Sequence, residues 1–539
     1  MTKNKESQDQ HKLPLKEEGK KNKKFTTNRR TLVKALASVP FIAAFGYEWS
    51  KMAKNKAQKK EDQNKILKEL GLGDKKTAIT KPISNSTEDH IRIGVIGCGD
   101  RALRVLRAAG FLWEDKLRVL KKENNTLALG HWLSQEDLNI SITGICDVFD
   151  DRAEAAVAQS KNSLQAVRES KSIPKAKRYN HYQELLASKN IDAVIIATPD
   201  HHHAQMTMDA IQAGKHVYCE KSLTRTEEEA HKVYDVVKNS NLVFQLGHQI
   251  RQNPIYTQAR TLVRKNALGH ISLVECTSNR NTPQGAWIRD TKGGKPKPGS
   301  AKSIDWEQWL GTSPKVPFST DRYYNWTKYW DYANGIGGQL FSHEFDAVNG
   351  ILACGIPKTC MATGGLYHFN DGRDIPDVFN AVYEFPDRKM SLLYSATLMN
   401  SRSRGRVFMG SDASMEIGGD LKITADSKSK KYKNKLKSGL INDKQPMLSL
   451  ASNPKVDGVT SATAKYYAGR GLTDVVINGK KVDVTHLHVK EWLNAIRNGT
   501  PVSCGIDISF EEAITIIMST KSYLEKRMVQ WDPIKRRIV

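Results

Sequence analysis

The stretch Ile91-Arg92-Ile93-Gly94-Val95-Ile96-Gly97-Cys98-Gly99-Asp100-Arg101-Ala102 places an apolar run directly before a glycine turn. The run predicts a buried strand, and the residues after the turn begin a helical pattern. At such a junction, backbone N–H groups and the positive end of the helix dipole can hold a pyrophosphate. Gly97 permits the tight turn, Gly99 lets the backbone approach the phosphates, and Ala102 keeps the helix close to the strand. The spacing alone leaves an ordinary strand-to-helix turn as an equal alternative.

Two segments carry much of the positive charge of the chain. The sequence has 539 residues, a formal net charge of +25 and 39% apolar residues, which is typical of a globular protein with more than one domain. Residues 1–90 and 421–470 are rich in lysine and poor in large apolar residues, without basic–aromatic alternation. We therefore interpret both as solvated tails or loops and expect no nucleic-acid partner. Attraction to an anionic membrane or polymer stays open.

The seven cysteines follow neither a disulfide nor a zinc spacing. Cys98, Cys146 and Cys219 fall in the glycine turn or in apolar runs, where small buried thiols are expected. We therefore expect reduced thiols and predict no metal site from them.

Residues 1–50 resemble a twin-arginine export signal. A basic segment ends in Arg29-Arg30-Thr31-Leu32-Val33-Lys34, and an apolar stretch follows from Ala35 to Tyr47. That stretch is shorter than the roughly 20 residues that span a bilayer. We expect the twin-arginine export machinery as a partner and a periplasmic or cell-envelope location, with a chance arginine pair before an amphipathic helix as the alternative. Cleavage and retention as a peripheral membrane anchor both stay open, and residues 51–90 are interpreted as a polar linker.

Strands and helices alternate from Ile91 onward, which predicts a parallel sheet. The second apolar strand, Ile140–Cys146, ends in Asp147. An acid at this place suits the ribose hydroxyls of NAD and disfavours the extra phosphate of NADP, while an N-cap of the next helix is the alternative. The distance from Gly99 to Asp147 exceeds the usual gap, so we interpret residues 114–138 as an insertion.

Two further strand ends carry polar groups. One strand runs into Thr198-Pro199-Asp200-His201-His202-His203, which we place on a turn with its histidines pointing in different directions, so that a metal site is not predicted. Another strand ends in Glu220-Lys221-Ser222. Lys221 would lie at the carboxyl edge of the sheet, where a lysine can hydrogen-bond a substrate hydroxyl and share its proton. A surface lysine after a strand is the alternative.

Taken in order, these motifs and the segment Ala213-Gly214-Lys215-His216-Val217 resemble the Gfo/Idh/MocA family of glucose–fructose oxidoreductase and inositol dehydrogenase. The resemblance implies an α/β chain with an N-terminal Rossmann domain, 91–245, and a C-terminal α+β domain, 246–539, with an open, mainly antiparallel sheet. It implies Lys221 as a catalytic residue, although Ser222 replaces the family's proline. The implied cofactor is NAD rather than NADP, and the implied cofactor-binding residues are Gly97, Gly99, Asp100, Arg101, Ala102, Asp147, Thr198, Pro199, His203, Glu220, Lys221 and Gln249.

The resemblance continues into the second domain. Gln339-Leu340-Phe341-Ser342-His343-Glu344-Phe345-Asp346 resembles the family's helix with a catalytic Asp-x-x-x-His. His343 occupies the histidine position, but Gln339 replaces the aspartate and cannot take a proton, which leaves Lys221 and His343 as the acid/base pair. Trp287, Trp326 and Trp330 could form a glycan platform, although core packing is the commoner use of such residues. The implied substrate-binding residues are Gln339, Asp346, His248, Arg251 and Trp330.

Three functions remain open from the sequence. The first is an exported, NAD-dependent oxidoreductase that acts on a sugar or polyol with a tightly bound cofactor, and the family resemblance implies that it forms a homo-oligomer. The second is an NAD-dependent glycosidase of the N-acetylgalactosaminidase type, which oxidises a ring carbon transiently and ends without net redox change. The third is a non-catalytic sugar-binding protein, favoured only by Gln339 and Ser222. All three imply a carbohydrate ligand, and a Lys-rich insertion is expected at about 422–470.

Overall fold

The computed structural model describes residues 90–122, 126–282, 299–402, 404–451, 474–477 and 480–539, together with the single residues Glu61 and Lys65. The chain groups into two compact units, residues 1–65 and 66–539. The description below concerns the second unit. The predicted export signal at 1–50 and most of the predicted linker lie outside the described residues. Among the helices that are described, none has the length and apolar character needed to cross a bilayer.

The first domain is built on a six-stranded, fully parallel sheet. Its strand order is β3-β2-β1-β4-β5-β6, the doubly wound order in which the connections reverse direction between β1 and β4. The central strands β1, β2 and β4 are short apolar runs because both faces of the sheet are covered by helices, whereas the edge strand β3 is Lys-Arg-Tyr. The six strands are β1 Ile91–Ile96, β2 Ile140–Cys146, β3 Lys177–Tyr179, β4 Ala193–Ile196, β5 His216–Cys219 and β6 Phe244–Leu246.

Helices on the two faces of this sheet enclose two separate cores. The predicted insertion at 114–138 contains two helices, and Leu117 and Trp132 pack there in a small cluster of their own. The helices of this domain are α1 Asp100–Ala108, α2 Glu114–Lys122, α3 Thr126–Leu133, α4 Asp150–Ser160, α5 Leu164–Glu169, α6 Tyr182–Leu186, α7 Asp200–Gln212 and α8 Glu227–Lys238.

The second domain is built on a ten-stranded sheet in the order β14-β13-β12-β11-β7-β10-β9-β8-β17-β18. Its neighbours pair antiparallel except for β7 and β10, which pair parallel, so the expected mainly antiparallel sheet is confirmed. The strands are β7 Ile271–Thr277, β8 Thr359–Gly365, β9 Val378–Phe385, β10 Met390–Thr397, β11 Arg406–Gly410, β12 Ala413–Ile417, β13 Asp420–Ala425, β14 Leu448–Ala451, β17 Val529–Asp532 and β18 Arg537–Ile538; a separate hairpin joins β15 Asp474–Ile477 to β16 Lys480–Asp483.

The helices that follow the first domain are α9 Pro254–Arg264, α10 Trp306–Leu310, α11 Thr320–Tyr324, α12 Ser342–Leu352, α13 Lys433–Lys437, α14 Val484–Asn498 and α15 Ile506–Glu525. Of these, α9, α12 and α15 pack against the ten-stranded sheet, where Phe345 and Ile514 lie in the core. The helices α10 and α11 belong to a separate aromatic cluster. The Lys-rich segment at 422–470 is partly regular structure, since it contains the end of β13, α13 and β14; residues 452–473 lie outside the described part of the chain.

The predicted domain boundary at 245/246 falls inside β6, and one later helix returns to the first domain. Val489, Trp492 and Leu493 of α14 are buried in the same core as β1 and α1. Trp492 is among the largest fully buried side chains. The first domain is therefore completed by residues from the far end of the sequence.

Candidate active site

The glycine turn lies at the carboxyl end of β1, where the connections of the sheet reverse. Gly97 has φ +81°, and a Cβ there would meet the backbone of Thr198 and Ala197 at 2.8 and 2.9 Å. The turn therefore requires glycine. Gly99 precedes α1 and has no side chain to cap it, which leaves the first N–H groups of the helix for a phosphate. Ala102 is fully buried, as its predicted role against the strand requires.

Asp147 is buried at the end of β2 and binds two backbone groups. Its Oδ2 accepts the N–H of Cys98 at 2.5 Å, and its Oδ1 accepts the N–H of Phe149 at 2.8 Å. Burial raises its pKa, which Arg152 and these N–H donors oppose. Helix α4 begins at Asp150 after Phe149, so Asp147 is not its N-cap. Each carboxylate oxygen can accept a second hydrogen bond, so the group still fits a ribose hydroxyl.

The three histidines lie on the first turn of α7, so the expectation of a non-helical turn is wrong, and only His203 diverges from the other two as expected. His201 and His202 both place Nε2 at 2.8 Å from the carbonyl oxygen of Trp309. His203 contacts the carbonyls of Ser222 and Thr198 at 2.7 and 2.8 Å. A helix start at Asp200 turns the first two rings to the same side. His203 thus joins the ends of β4 and β5, while the other two hold a distant segment.

That distant segment, residues 299–332, is here called the strap. It contacts the end of β2 through a bridge between Phe149 and Ile304 and through the N–H of Asp305 on the carbonyl of Val148 at 2.8 Å. The strap has its own aromatic core, which includes Phe149. The strap was not predicted, although its density of tryptophan and tyrosine indicates an aromatic cluster.

Arg152 connects the strap to the glycine turn. Its Nη1 donates to the hydroxyl of Tyr323 at 3.0 Å, and its guanidinium lies 5.0 and 5.4 Å from the ring centroids of Tyr323 and Tyr324. A Cβ on Gly99 would stand 3.4 Å from the same guanidinium. The edge of the sheet that fits the adenosine half of a dinucleotide therefore lies beside the strap.

Glu220 joins the end of β5 to α1. Its Oε1 accepts from Arg101 Nε and from Gln249 Nε2, each at 2.8 Å, and Tyr218 also contacts it. Arg101 is thereby fixed on the first turn of the helix that begins at Asp100, which is exposed. Gln249 is 8% exposed and uses its amide nitrogen within this group, so its cofactor-binding role stays a prediction.

Lys221 follows at the same sheet edge and faces the second domain. Its Nζ donates to the backbone carbonyl of Gln339 at 3.2 Å, and the amide of Gln339 donates to Asp200 at 2.5 Å. The peptide bond between Lys221 and Ser222 is cis, and the hydroxyl of Ser222 donates to the carbonyl of Gly338 at 2.9 Å. Burial lowers the pKa of Lys221 to about 8, although Asp200, Glu220 and Glu512 oppose the shift.

The side chain of Gln339 is 1% exposed and is engaged by Asp200. A carboxylate at position 339 would face the buried Asp200, so the amide fits this place better than the family's aspartate. Asp200 belongs to the motif after β4, but no role is predicted for it from the sequence. Burial raises the pKa of Asp200, while the charges of His203 and Lys221 lower it. The substrate-binding role of Gln339 stays a prediction.

His343 is the second residue of α12, which directly follows a π-helical turn, Gly337–Phe341. The residue is half-buried, and its ring meets that of His248 edge-on with centroids 5.5 Å apart. Burial and the positive charges of Lys221 and His248, with those of Arg280 and Arg101, hold the pKa of His343 well below its usual value. Its surroundings therefore favour the neutral imidazole, and the charge of Lys221 is one of the causes.

Behind His343 lies the buried ion cluster, defined as His248, Arg251, Asp346 and Glu512. His248 Nε2 is 2.7 Å from Glu512 Oε2, and Arg251 Nε is 2.5 Å from Asp346 Oδ1. Side-chain exposure is 8% or less throughout the cluster, so the predicted substrate contacts of His248, Arg251 and Asp346 stay untested. Glu512 was missed. Histidine and carboxylate side chains can bind metal, but here Arg251 already pairs with Asp346, and His248 pairs with Glu512.

The predicted aromatic platform is only partly described. Trp330 is half-buried and donates from Nε1 to the carbonyl of Asp374 at 3.0 Å. Trp326 belongs to the border of the strap core. Trp287 lies outside the described residues. Trp330 can still present a ring face, and its role in substrate binding stays a prediction.

Comparison with known proteins agrees with this geometry. Residues 91–248 match the GFO_IDH_MocA family model, described as "Oxidoreductase family, NAD-binding Rossmann fold". This segment is therefore similar to the NAD-binding Rossmann domain that the model describes. Curated relatives include levoglucosan dehydrogenase of Pseudarthrobacter phenanthrenivorans, 31% identical over 184 residues, which are 34% of this chain and 41% of that protein. D-xylose 1-dehydrogenase (NADP(+)) of Hypocrea jecorina is 33% identical over 28% of this chain and 39% of that protein.

The matches span about two fifths to a little over half of the curated relatives' length. Solved structures extend the likeness of fold to both domains. Levoglucosan dehydrogenase in complex with NADH gives a TM-score of 0.54 at 17% identity, over 82% of this chain and 99% of that chain. The WlbA dehydrogenase from Bordetella pertussis, in complex with NADH and UDP-GlcNAcA, gives 0.52 at 13% identity over the same shares. The two-domain α/β fold is thereby confirmed.

Proposed function

We propose that this protein is an NAD-dependent oxidoreductase that acts on a sugar or polyol. The observation that carries the proposal is the pairing, at the carboxyl edge of the Rossmann sheet, of Lys221, whose pKa is about 8, with the neutral His343. Both side chains remain partly accessible. Relatives with 31% and 33% identity are named for levoglucosan and D-xylose dehydrogenation, which supports a carbohydrate substrate.

The turn of Gly97 and Gly99 and the first turn of α1 would hold the pyrophosphate, and Asp147 the ribose hydroxyls. Bound NAD supplies a hydride acceptor for the carbon that carries the substrate hydroxyl. Lys221, when neutral, takes the proton of that hydroxyl, and as an ammonium it returns the proton in the reverse direction. His343 accepts or donates a hydrogen bond at the same oxygen and orients it. The carboxylate of Asp147 at the acid position favours NAD over NADP.

We also propose that the cofactor is held tightly. The strap lies against the end of β2, and its contacts include the two histidines on the carbonyl of Trp309. Exchange of a dinucleotide at this edge would require those contacts to open. Tight retention would suit an enzyme that is exported with its cofactor already bound.

Export itself, by the twin-arginine machinery to the periplasm or envelope, rests on Arg29-Arg30 and the apolar run after them. The test is cell fractionation of the full chain and of a variant with both arginines changed to lysine. Export requires the wild-type chain in the envelope fraction and the variant in the cytoplasm. Equal distribution of the two chains would end this part of the proposal.

A homo-oligomer is the remaining part of the proposal. Met361, Tyr367 and Val382, on β8, the segment after it and β9, expose 44%, 69% and 39% of their surface. Large apolar side chains of this kind on a sheet favour self-association. Light scattering of the purified chain would give its mass, and a monomer at all concentrations would refute this part.

The deciding experiment is to purify the chain and measure bound NAD(H) after denaturation. Free sugars, polyols and aryl glycosides are then added, and reduction of the bound cofactor is followed by absorbance. Reduction by a free sugar or polyol supports the proposal, while release of the aryl group without net reduction would favour the glycosidase. Lys221→Ala and His343→Ala should lose turnover yet keep NAD, and Lys215→Ala, at the other end of β5, serves as the control. Absence of NAD binding would refute both functions.

A further inference from the structure

His248 stands between two carboxylates at the centre of the buried ion cluster. Its Nε2 is 2.7 Å from Glu512 Oε2, and its Nδ1 is 3.8 Å from Asp346 Oδ2. The side chain is 1% exposed, and those of Glu512 and Asp346 are 3% and 4% exposed. Both ring nitrogens thus face anions in a site that water does not reach.

One proton is shared between His248 and Glu512, whose pKa is itself raised by burial and lowered by the charge of His248. With Glu512 ionised, the charges of the cluster balance when His248 carries that proton. Asp346 is paired with Arg251, which also donates to the carbonyl of Ser503 at 2.8 Å. Glu512 would otherwise be a buried, uncompensated charge, which is costly. Burial lowers the pKa of His248, but Asp346 and Glu512 outweigh that effect and the net shift is upward.

The cluster joins three parts of the chain beside the candidate active site. His248 follows β6, Asp346 lies on α12 one turn after His343, and Glu512 lies on α15. The His248 ring meets the His343 ring at an angle of 85°. The cluster therefore fixes the helix that carries His343 against the edge that carries Lys221.

We propose that His248 is a positioning residue, an imidazolium between Glu512 and Asp346 that fixes the ring of His343 and keeps it uncharged. Its charge disfavours a second charge on the neighbouring ring. His343 then offers a neutral nitrogen to the substrate hydroxyl, while Lys221 handles the proton. The catalytic consequence rests on the proposed function, whereas the coupling between the two rings does not.

Other charged groups around the rings of His248 and His343 also change the pKa values of these two residues. Besides its two carboxylates, His248 faces Arg251 and His488, both of which disfavour its charge. His343 faces Lys221, Arg280 and Arg101, which also disfavour a proton on it. Substitution of His248 therefore removes one of several positive charges, and the expected effect is a shift in the titration of His343.

The experiment is an NMR titration of the full chain with ¹³C-labelled histidine, assigned from His248→Gln and His343→Gln. In the wild type, the His248 signal should remain that of an imidazolium above neutral pH, while the His343 signal remains neutral in mild acid. In His248→Gln and in Glu512→Gln, the titration of His343 should move to higher pH. The control is His486→Gln, a buried histidine on α14 that contacts the carbonyl of Ala108, and it should leave His343 unchanged.

A second readout is the pH profile of turnover. His248→Gln should lower kcat by roughly ten- to a hundredfold and add an acidic limb that the wild type lacks. If His248→Gln does not fold, Glu512→Gln and the wild-type titration still decide the matter. A wild-type His248 that becomes neutral below neutral pH, or a His343 titration unchanged in a folded variant, would overturn the proposal. A shifted His343 titration in a chain without sugar oxidation would instead refute only the proposed function.

Discussion

The lowered pKa of Lys221 leads to a quantitative prediction for the pH dependence of sugar oxidation. Burial brings this pKa from 10.5 to about 8. At pH 7, about one tenth of the molecules would then have a neutral Lys221, compared with about one in 3,000 for an ordinary lysine. Because oxidation needs the neutral amine as a base, the rate should rise about tenfold per pH unit below pH 8 and become constant above it.

The assay is the reduction of bound NAD in a single turnover, measured from about pH 6 to pH 10. Lys221→Met should lower the rate by about 10²- to 10⁴-fold and remove the rising limb. Lys215→Met is the matched control, since Lys215 lies beside the same strand and donates to the carbonyls of Ser188 and Ile191 at its opposite end. It should retain the full profile.

Substitution of Asp200 should shift the pKa of Lys221 in a direction that tests whether Lys221 is the base. Its carboxylate raises the pKa of Lys221, against the larger effect of burial. In Asp200→Asn the pKa of Lys221 should therefore fall further, and the limb should move to lower pH. The amide can still accept the hydrogen bond from Gln339 that Asp200 accepts at 2.5 Å. A limb that persists in Lys221→Met, or one that moves to higher pH in Asp200→Asn, would refute the assignment of the base.

Three further outcomes are expected. Gly97→Ala should lower the free energy of unfolding in urea by about 3 kcal/mol and abolish NAD binding, because the new Cβ would meet the backbone of Thr198. Gly214→Ala is the control: Gly214 has φ +73°, but no atom lies within 4 Å of its Cβ position, so the loss should be only about 1 kcal/mol. Asp147→Asn should weaken NAD binding at least about tenfold in calorimetry, because one amide oxygen replaces two acceptors. Burial lowers the pKa of His202 from 6.5 to about 4, so the stability that this residue contributes above pH 6.5 is lost as the pH falls towards 4. Hydrogen exchange of the strap should therefore report a loss between pH 7 and pH 5 that is smaller by about 2 kcal/mol in His202→Gln than in the wild type, while His201, on the same carbonyl, maintains part of the loss.

The first domain and the position of its site were predictable because the deciding signals are local. The run before Gly97 and the run before Asp147 are apolar, short and followed by turn residues, so both strands and their carboxyl ends could be located. Lys221 was placed at the same edge by the same reasoning. In a parallel sheet these ends meet on one side, and the structure has them there.

The helix start at the histidines was missed although its signals are present. Pro199 immediately precedes the helix, and Asp200 supplies an acid in its first turn, which together are typical of an N-terminus. On the sequence alone, the motif is placed on a turn instead. The error concealed the convergence of His201 and His202 on one carbonyl.

The contacts of the ion cluster and of the strap could not be predicted from sequence patterns, although the aromatic residues of the strap indicate a cluster there. Glu512 follows another glutamate on a helix and lies more than 260 residues after His248, so nothing local distinguishes it as the buried member of the pair. Trp309 contributes a backbone carbonyl, which every residue has. Such contacts depend on how distant elements pack, and no local periodicity records that packing.

The return of α14 to the first domain has a consequence for synthesis of the chain. The core beneath β1 and α1 lacks Val489, Trp492 and Leu493 until residues near 498 have left the ribosome. Domains usually fold as units during translation, starting from the N-terminus. Here the nucleotide-binding half must remain incomplete until almost the whole polypeptide exists, so the cofactor site and the domain that covers it become complete at nearly the same moment.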